Sequence, residues 1–176
     1  MAQNNSYILR QFGDDPMKHS YQDPEGNTAF TIGMVVRDPN IILRLSRELS
    51  WSQQHPSVMG PDNSYFYLGA ENAPGYIVYG NGTLHIPMPF FLRPGKKENT
   101  TSRYFRMQNG RDYKWKVYSA HRMECMDGRT TIATWEVTEP SQEHFARLTL
   151  QPASLPFITE ILTSLTLNRI SQAHGW

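Results

Sequence analysis

The sequence predicts a mainly β protein, an antiparallel barrel enclosing a hydrophobic C-terminal helix. Three observations predict it. Short β-like runs are divided by frequent chain breakers, several of those runs alternate apolar with polar residues, and one long apolar segment ends the chain.

The breakers come first. Asp-Pro-Glu-Gly at 23–26, Asp-Pro-Asn at 38–40, Gly-Pro-Asp-Asn at 60–63, Ala-Pro-Gly at 73–75, Asn-Gly at 81–82 and 109–110, and Asp-Gly at 127–128 all read as turns. Asn-Gly and Asp-Gly suit tight hairpins, whose central residues need positive φ. Between them lie the runs Ala29–Val36, Ile41–Leu45, Tyr65–Leu68, Tyr76–Tyr79, Thr83–Met88, Arg103–Met107, Tyr113–Tyr118, Thr130–Thr138 and Phe145–Leu150. Within them, Tyr113, Trp115 and Val117 share one strand face against Lys114 and Lys116, and Ala146, Leu148 and Leu150 oppose Arg147 and Thr149. A period of two with one polar face marks a sheet wetted on one side. Many short strands at this spacing predict a sandwich or barrel rather than βαβ units.

The segment from Leu155 to Ile170 has no glycine, and its one proline stands in the first turn, where a missing N–H costs nothing. Ser154 is the expected N-cap. Phe157, Ile158, Ile161, Leu162, Leu165 and Ile170 form the main stripe, Leu167 and small threonines fill the opposite side, and the charges are Glu160 and Arg169. A helix apolar nearly all round is a buried one. Sixteen residues would span roughly 24 Å, about the length of a small barrel.

The domain is expected over residues 28–176. Residues 1–27 read either as an arm or as one extra edge strand, and 89–101 as the longest internal loop. The Pro-rich run Leu84-His-Ile-Pro-Met-Pro-Phe-Phe-Leu92 cannot be a central strand, so it either covers an edge or forms an interaction patch.

Composition excludes several classes. Seventeen basic against sixteen acidic residues leave +1, which is not the footprint of a general nucleic-acid binder. Nine Tyr, eight Phe and four Trp argue against disorder. A single cysteine, Cys125, excludes an internal disulfide and a cysteine zinc site. No transmembrane segment, secretory leader, metal site or cofactor motif is read. The expected compartment is the cytoplasm, with peripheral attachment to membranes as an option, and the sequons at Asn4, Asn81 and Asn99 are then not expected to be used.

The run Ser102-Arg-Tyr-Phe-Arg106 with Gly110-Arg-Asp-Tyr-Lys-Trp-Lys116, and the tail Leu167-Asn-Arg169 with Gly175-Trp176, resemble DUF6593, an uncharacterised domain family of mushroom-forming fungi. That family is similar to the tubby-like group, which includes tubby C-terminal domains, phospholipid scramblases and LURP-one-related proteins. The resemblance covers roughly 20–176 and implies a β-barrel wrapped around a hydrophobic C-terminal helix. It implies no activity. Tubby domains bind phosphoinositides through basic residues, but their motif does not map position by position here.

One cluster carries the leading functional expectation. Lys96, Lys97, Arg103, Arg106, Arg111, Lys114 and Lys116, with Arg93 just ahead, lie close together and would form a basic patch if their strands are neighbours. Such a patch would hold an anionic, phosphoinositide-like lipid headgroup, and the alternative is an ordinary solvated strand face. The expected function is therefore a non-enzymatic module that binds an anionic phospholipid surface or a protein partner through its outer face. A carbohydrate or small-molecule binder using surface aromatics is the alternative. An enzyme of unrecognised type, with His121 and Glu124 as candidates, is the third. His121 and Cys125 lack the context of a catalytic pair, and a lone cysteine is most often a small buried hydrophobe.

Overall fold

The computed structural model describes residues 5–79, 84–96 and 101–176. Lys97, the turn expected at Asn81-Gly82 and the three sequon asparagines lie outside them. The described residues form thirteen strands in chain order: β1 (Tyr7–Asp15), β2 (Lys18–Gln22), β3 (Thr28–Val36), β4 (Ile42–Arg47), β5 (Asn63–Tyr67), β6 (Tyr76–Tyr79), β7 (Leu84–Pro87), β8 (Arg93–Pro94), β9 (Arg103–Arg106), β10 (Asp112–Ser119), β11 (Arg122–Asp127), β12 (Thr130–Val137) and β13 (Ala146–Leu150). Helix α1 (Leu49–Gln54) follows β4, α2 (Met88–Phe91) joins β7 to β8, and α3 (Ile158–His174) ends the chain after a 3-10 turn over Pro152–Phe157.

All strands lie in one sheet, in the order β7-β6-β5-β4-β3-β2-β1-β13-β12-β11-β10-β9-β8, and every pairing is antiparallel. The expected barrel is therefore not closed by hydrogen bonds: among the described residues no ladder joins β7 to β8. These end strands are consecutive in the chain, and α2 bridges them. A four-residue helix with prolines on either side of Met88 supplies no run of strand N–H groups to complete a ladder.

Helix α3 is the centre of the core. Every residue from Ile158 to Ile170 is buried. Strands from both halves of the order meet it. Ser64 of β5 hydrogen-bonds Thr163 (2.8 Å), Trp115 of β10 donates to Ser164 (2.8 Å), and Arg47 of β4 donates to Thr159 (3.2 Å). Thr159, Thr163 and Ser164 thus let strands approach while pairing buried polar groups, and unpaired groups there would each cost about 1–3 kcal/mol. The helix starts later than the sequence predicts. Ser154 caps nothing; its hydroxyl donates to the Gln151 carbonyl just ahead of the 3-10 turn and to the Ile132 carbonyl of β12, and Pro156 keeps that turn from joining the α-helix. At the far end Gly175 adopts φ +70°, and Trp176 N–H returns to the Ser171 carbonyl at 2.9 Å in a Schellman closure.

The described residues 5–27 hold β1 and β2, which are neither an arm nor edge strands. Strand β1 lies mid-sheet between β2 and β13. Its inner face carries Leu9 and the fully buried Gln11, whose Oε1 accepts from Trp135 Nε1 (2.9 Å) and Tyr21 OH (3.1 Å) while Nε2 donates to Gly13 O. A polar residue at a core position hides the alternation that would mark this strand. Trp51 of α1 donates to the Tyr7 hydroxyl at 3.0 Å and stacks on His55, which fastens β1 to α1.

Candidate functional site

The predicted basic stretch is divided by the fold. Arg103 pairs in register with the fully buried Trp115, so it belongs to the inner side of the sheet at its β8 end. Arg106, Lys114 and Lys116 share the outer face, where Asp112 stands opposite Arg106, Tyr104 opposite Lys114, and Glu124 opposite Lys116. Arg93 and Arg106 both bind the Asp112 carboxylate, at 2.8 and 3.2 Å, and the Arg106 hydrogen bond, followed by Arg93, holds that carboxyl below its usual range. Arg111 makes two bonds to Asp127, at 2.9 and 3.1 Å. Further round, Arg122 binds Glu124 and Glu136, and Arg147 also binds Glu136. The arginines thus sit in a mixed-charge lattice, worth little to stability because it is exposed. Among the described residues no carboxylate pairs with Lys96, Lys114 or Lys116, and Lys116 lies 5.0 Å from the Tyr118 ring centroid.

The ends of the sheet give a second feature. Edge strand β7 and helix α2 carry Leu84 and Phe90, 51% and 70% exposed, directly before Arg93 and Lys96. Beneath them Met88 and Phe91 are buried. An apolar cavity of about 290 Å³ opens here, lined by Pro74, Met88, Pro89, Leu92, Pro94, Arg103, Leu167, Ser171 and Trp176. It lies where α3 is covered by α2 rather than by a continuous ladder. The sequence marks the Pro-rich run as an edge cover or an interaction patch, and β7 with α2 forms the edge. It does not reveal that Leu167, Ser171 and Trp176 meet that run, since only folding brings residues so distant in the chain together. Strand β6 is held in place at this edge by Gly75, whose N–H lies 3.3 Å from Met88 Sδ.

The catalytic candidates are dispersed. Cys125 is wholly buried on the inner face of β11, and burial pushes its thiol well above the ordinary value. His121 lies exposed in the turn before β11, and Glu124 is on the outer face, bound to Arg122. Among the described residues no three of His, Cys, Asp and Glu gather as a metal ion would require, and no helix is long and apolar enough to cross a membrane. Glu160, in the first turn of α3, is pushed up to about 7 by burial, but its Oε2 accepts Gln108 N–H at 2.8 Å. That bond ties the β9–β10 turn to the helix, and no cavity opens onto the carboxylate among those described.

Most of the aromatic residues face inward. Phe66, Tyr79, Phe91, Phe105, Tyr113, Trp115 and Trp135 are core. Outside, Tyr67 and Tyr76 stack on each other at 4.6 Å, and His85 extends the stack at 5.7 Å from Tyr76.

The model of a family of unknown function, DUF6593, matches residues 71–169, more than half of the chain. The chain belongs to that family. The DUF6593 match takes in β6 to β13, α2 and most of α3, so the open edges, α2 and the cavity's floor at Leu167 all fall within it, while β1 to β5 lie ahead of it. No curated protein and no solved structure matches the chain.

Proposed function

We propose that this DUF6593 chain is a non-enzymatic module that docks on an anionic lipid surface, with the β7–α2–β8 edge as its contact. The observation that carries the reading is the pair of exposed apolar side chains at this edge, Leu84 and Phe90, with Lys96 following in the chain and Lys114 and Lys116 on the outer face of β10, two strands in from β8. Apolar side chains entering the headgroup boundary and lysines beside it act together, since each basic residue near an anionic surface contributes about 1 kcal/mol and each buried methylene about 0.8. The mixed-charge lattice of arginines favours a modest, salt-sensitive attachment over a tight headgroup clamp. In this reading the sheet is a tubby-like barrel left open at one seam, and the protein works at the cytoplasmic leaflet, where anionic lipids concentrate. The resemblance to the tubby-like group supports that by fold analogy alone.

Co-sedimentation with phosphatidylcholine vesicles, with and without phosphatidylserine, tests it. Binding that needs phosphatidylserine, weakens with salt, and is lost in Phe90→Asp and in the Lys114→Glu, Lys116→Glu double variant is the expected result. Equal recovery from neutral and anionic vesicles, or none from either, overturns it.

A second reading, carbohydrate binding, draws on the Tyr67–Tyr76–His85 stack. Those rings cover one another's faces, which leaves less area for a sugar. Binding on a glycan array that Tyr76→Ala removes would support it.

A further inference from the structure

We infer that the cavity at the open edge takes one acyl tail of an anionic lipid, an inference that rests on the lipid-surface reading above. The cavity is concave and walled by apolar groups: Met88, Pro89 and Leu92 from the α2 side, with Leu167 and Trp176 from the α3 side. Its floor, Leu167, is 1% exposed, so a chain entering here reaches the central helix itself. At roughly 30 Å³ each, close to the volume a water occupies in the liquid, about ten methylene groups fill 290 Å³. Sites of this kind bind mostly through apolar lining, with a few polar groups setting orientation.

Charge selects the head. Arg103 is the one charged side chain among the described lining residues, its Nη1 already donating to the Ser102 carbonyl at 3.2 Å, and Lys96 follows α2 on the same stretch of chain. An anionic group at the end of the tail is therefore complementary, and a cationic amphiphile of equal length is not. A guanidinium matches carboxylate and phosphate geometry, and both are common lipid head chemistries. Phe90, 70% exposed on the outer side of α2, stands ready to enter the bilayer from which the tail is taken.

The cavity also has a physical origin. Elsewhere neighbouring strands close over α3 through hydrogen-bonded ladders, but between β7 and β8 no ladder runs among the described residues, and the short α2 covers the gap with side chains. A gap filled by side chains opens more easily than a ladder of backbone bonds. An acyl tail would complete the packing there.

The test uses dodecanoate below its micelle concentration as a single-tail probe, titrated by calorimetry, with vesicle co-sedimentation run in parallel. The expected result is one site per chain, affinity falling about fourfold for each methylene removed through decanoate to octanoate, and no binding of dodecyltrimethylammonium. Ser171→Phe, which fills the cavity, abolishes dodecanoate binding while retaining vesicle binding. Pro89→Trp, at an exposed lining position, does the same and serves if Ser171→Phe fails to fold by circular dichroism. Dodecanoate binding unchanged in a folded filling variant, or absent from the wild type while vesicles are bound, overturns the tail site and spares the surface reading. Dodecanoate binding without vesicle binding overturns the surface reading and leaves a site for the free amphiphile.

Discussion

The guanidinium of Arg169 lies 4.8 Å from the ring centroid of Trp135 inside the protein, and its acceptor is a backbone group, the Asp14 carbonyl at 3.0 Å. Phe145 flanks it at 5.7 Å, and Nη1 has no hydrogen-bond partner among the described residues. Neighbouring His19 is also buried. Its Nδ1 donates to the Asp15 carbonyl at 2.8 Å, which leaves Nε2 as an acceptor without a partner among the described residues. A cation held by aromatic faces and a carbonyl thus takes the place of an ion pair at this end of α3.

Such an arrangement makes length and shape matter more than charge. Arg169→Met keeps the apolar stem over Trp135 and removes a buried charge, so its stability should stay within about 1 kcal/mol of wild type. Arg169→Lys, which retains charge but loses the planar stack, should cost roughly 2 kcal/mol or more. Urea unfolding of the two variants checks the order; a more stable lysine variant would refute it.

The same substitution should be felt at His19. Burial first, and the Arg169 charge second, hold that imidazole down at about 4. Arg169→Met should therefore raise the His19 pKa without restoring its ordinary value, as read by NMR titration of the ring protons.

His19 and Glu160 impose opposite slopes on stability. Below its ordinary value of 6.5, the unfolded chain protonates His19 while the native chain does not, so this stabilisation is complete above 6.5 and is lost as pH falls towards 4. Glu160 is pushed up from 4.5 to about 7. Its native form keeps a proton that the unfolded chain has released, so stability declines as pH rises from 4.5 through 7. Each effect amounts to no more than about 3.5 kcal/mol. Glu160→Gln should flatten the decline towards neutral pH, and His19→Asn the decline towards acid, in unfolding measured across that interval.

Cys125 should resist thiol reagents in the native protein at neutral pH and react fully once unfolded. Its burial and raised pKa remove both access and thiolate. Rapid stoichiometric labelling of native protein would show that β11 opens.

Gly75 should tolerate no side chain. A Cβ there would fall on the carbonyl oxygen of Tyr67, which is backbone and cannot swing aside. Gly75→Ala should cost roughly 2 kcal/mol or more in thermal unfolding, and because Gly75 O accepts Met88 N–H at 2.9 Å, it should disturb α2 as well.

Nine of the strands were legible because their alternation follows from a sheet with one buried face. Strand β12 runs over Thr130–Val137 against an expected Thr130–Thr138, and β6 has the expected bounds. Strands β1, β2, β8 and β11 were not legible, and β8 with α2 falls in the stretch 89–101 read as a loop. Gln11, His19 and Asp127 place polar groups where a pattern reading looks for apolar ones, and one partner of Gln11, Trp135, is distant in the chain. At the candidate site, the apolar Pro-rich run and its following cations could be read from local order. The cavity could not, since its two walls come from α2 and α3.

The sequence by itself determined the β class, the strand period and the buried C-terminal helix, because each follows from local periodicity and the cost of wetting apolar surface. Only the tertiary structure decided that β1 lies mid-sheet, that Asp112 and Asp127 engage Arg93, Arg106 and Arg111, and that β7 and β8 leave an edge bridged by α2. Those outcomes depend on which strands become neighbours. Pairing between residues far apart in the chain is selected by the packing of the whole sheet against α3, which no local pattern encodes.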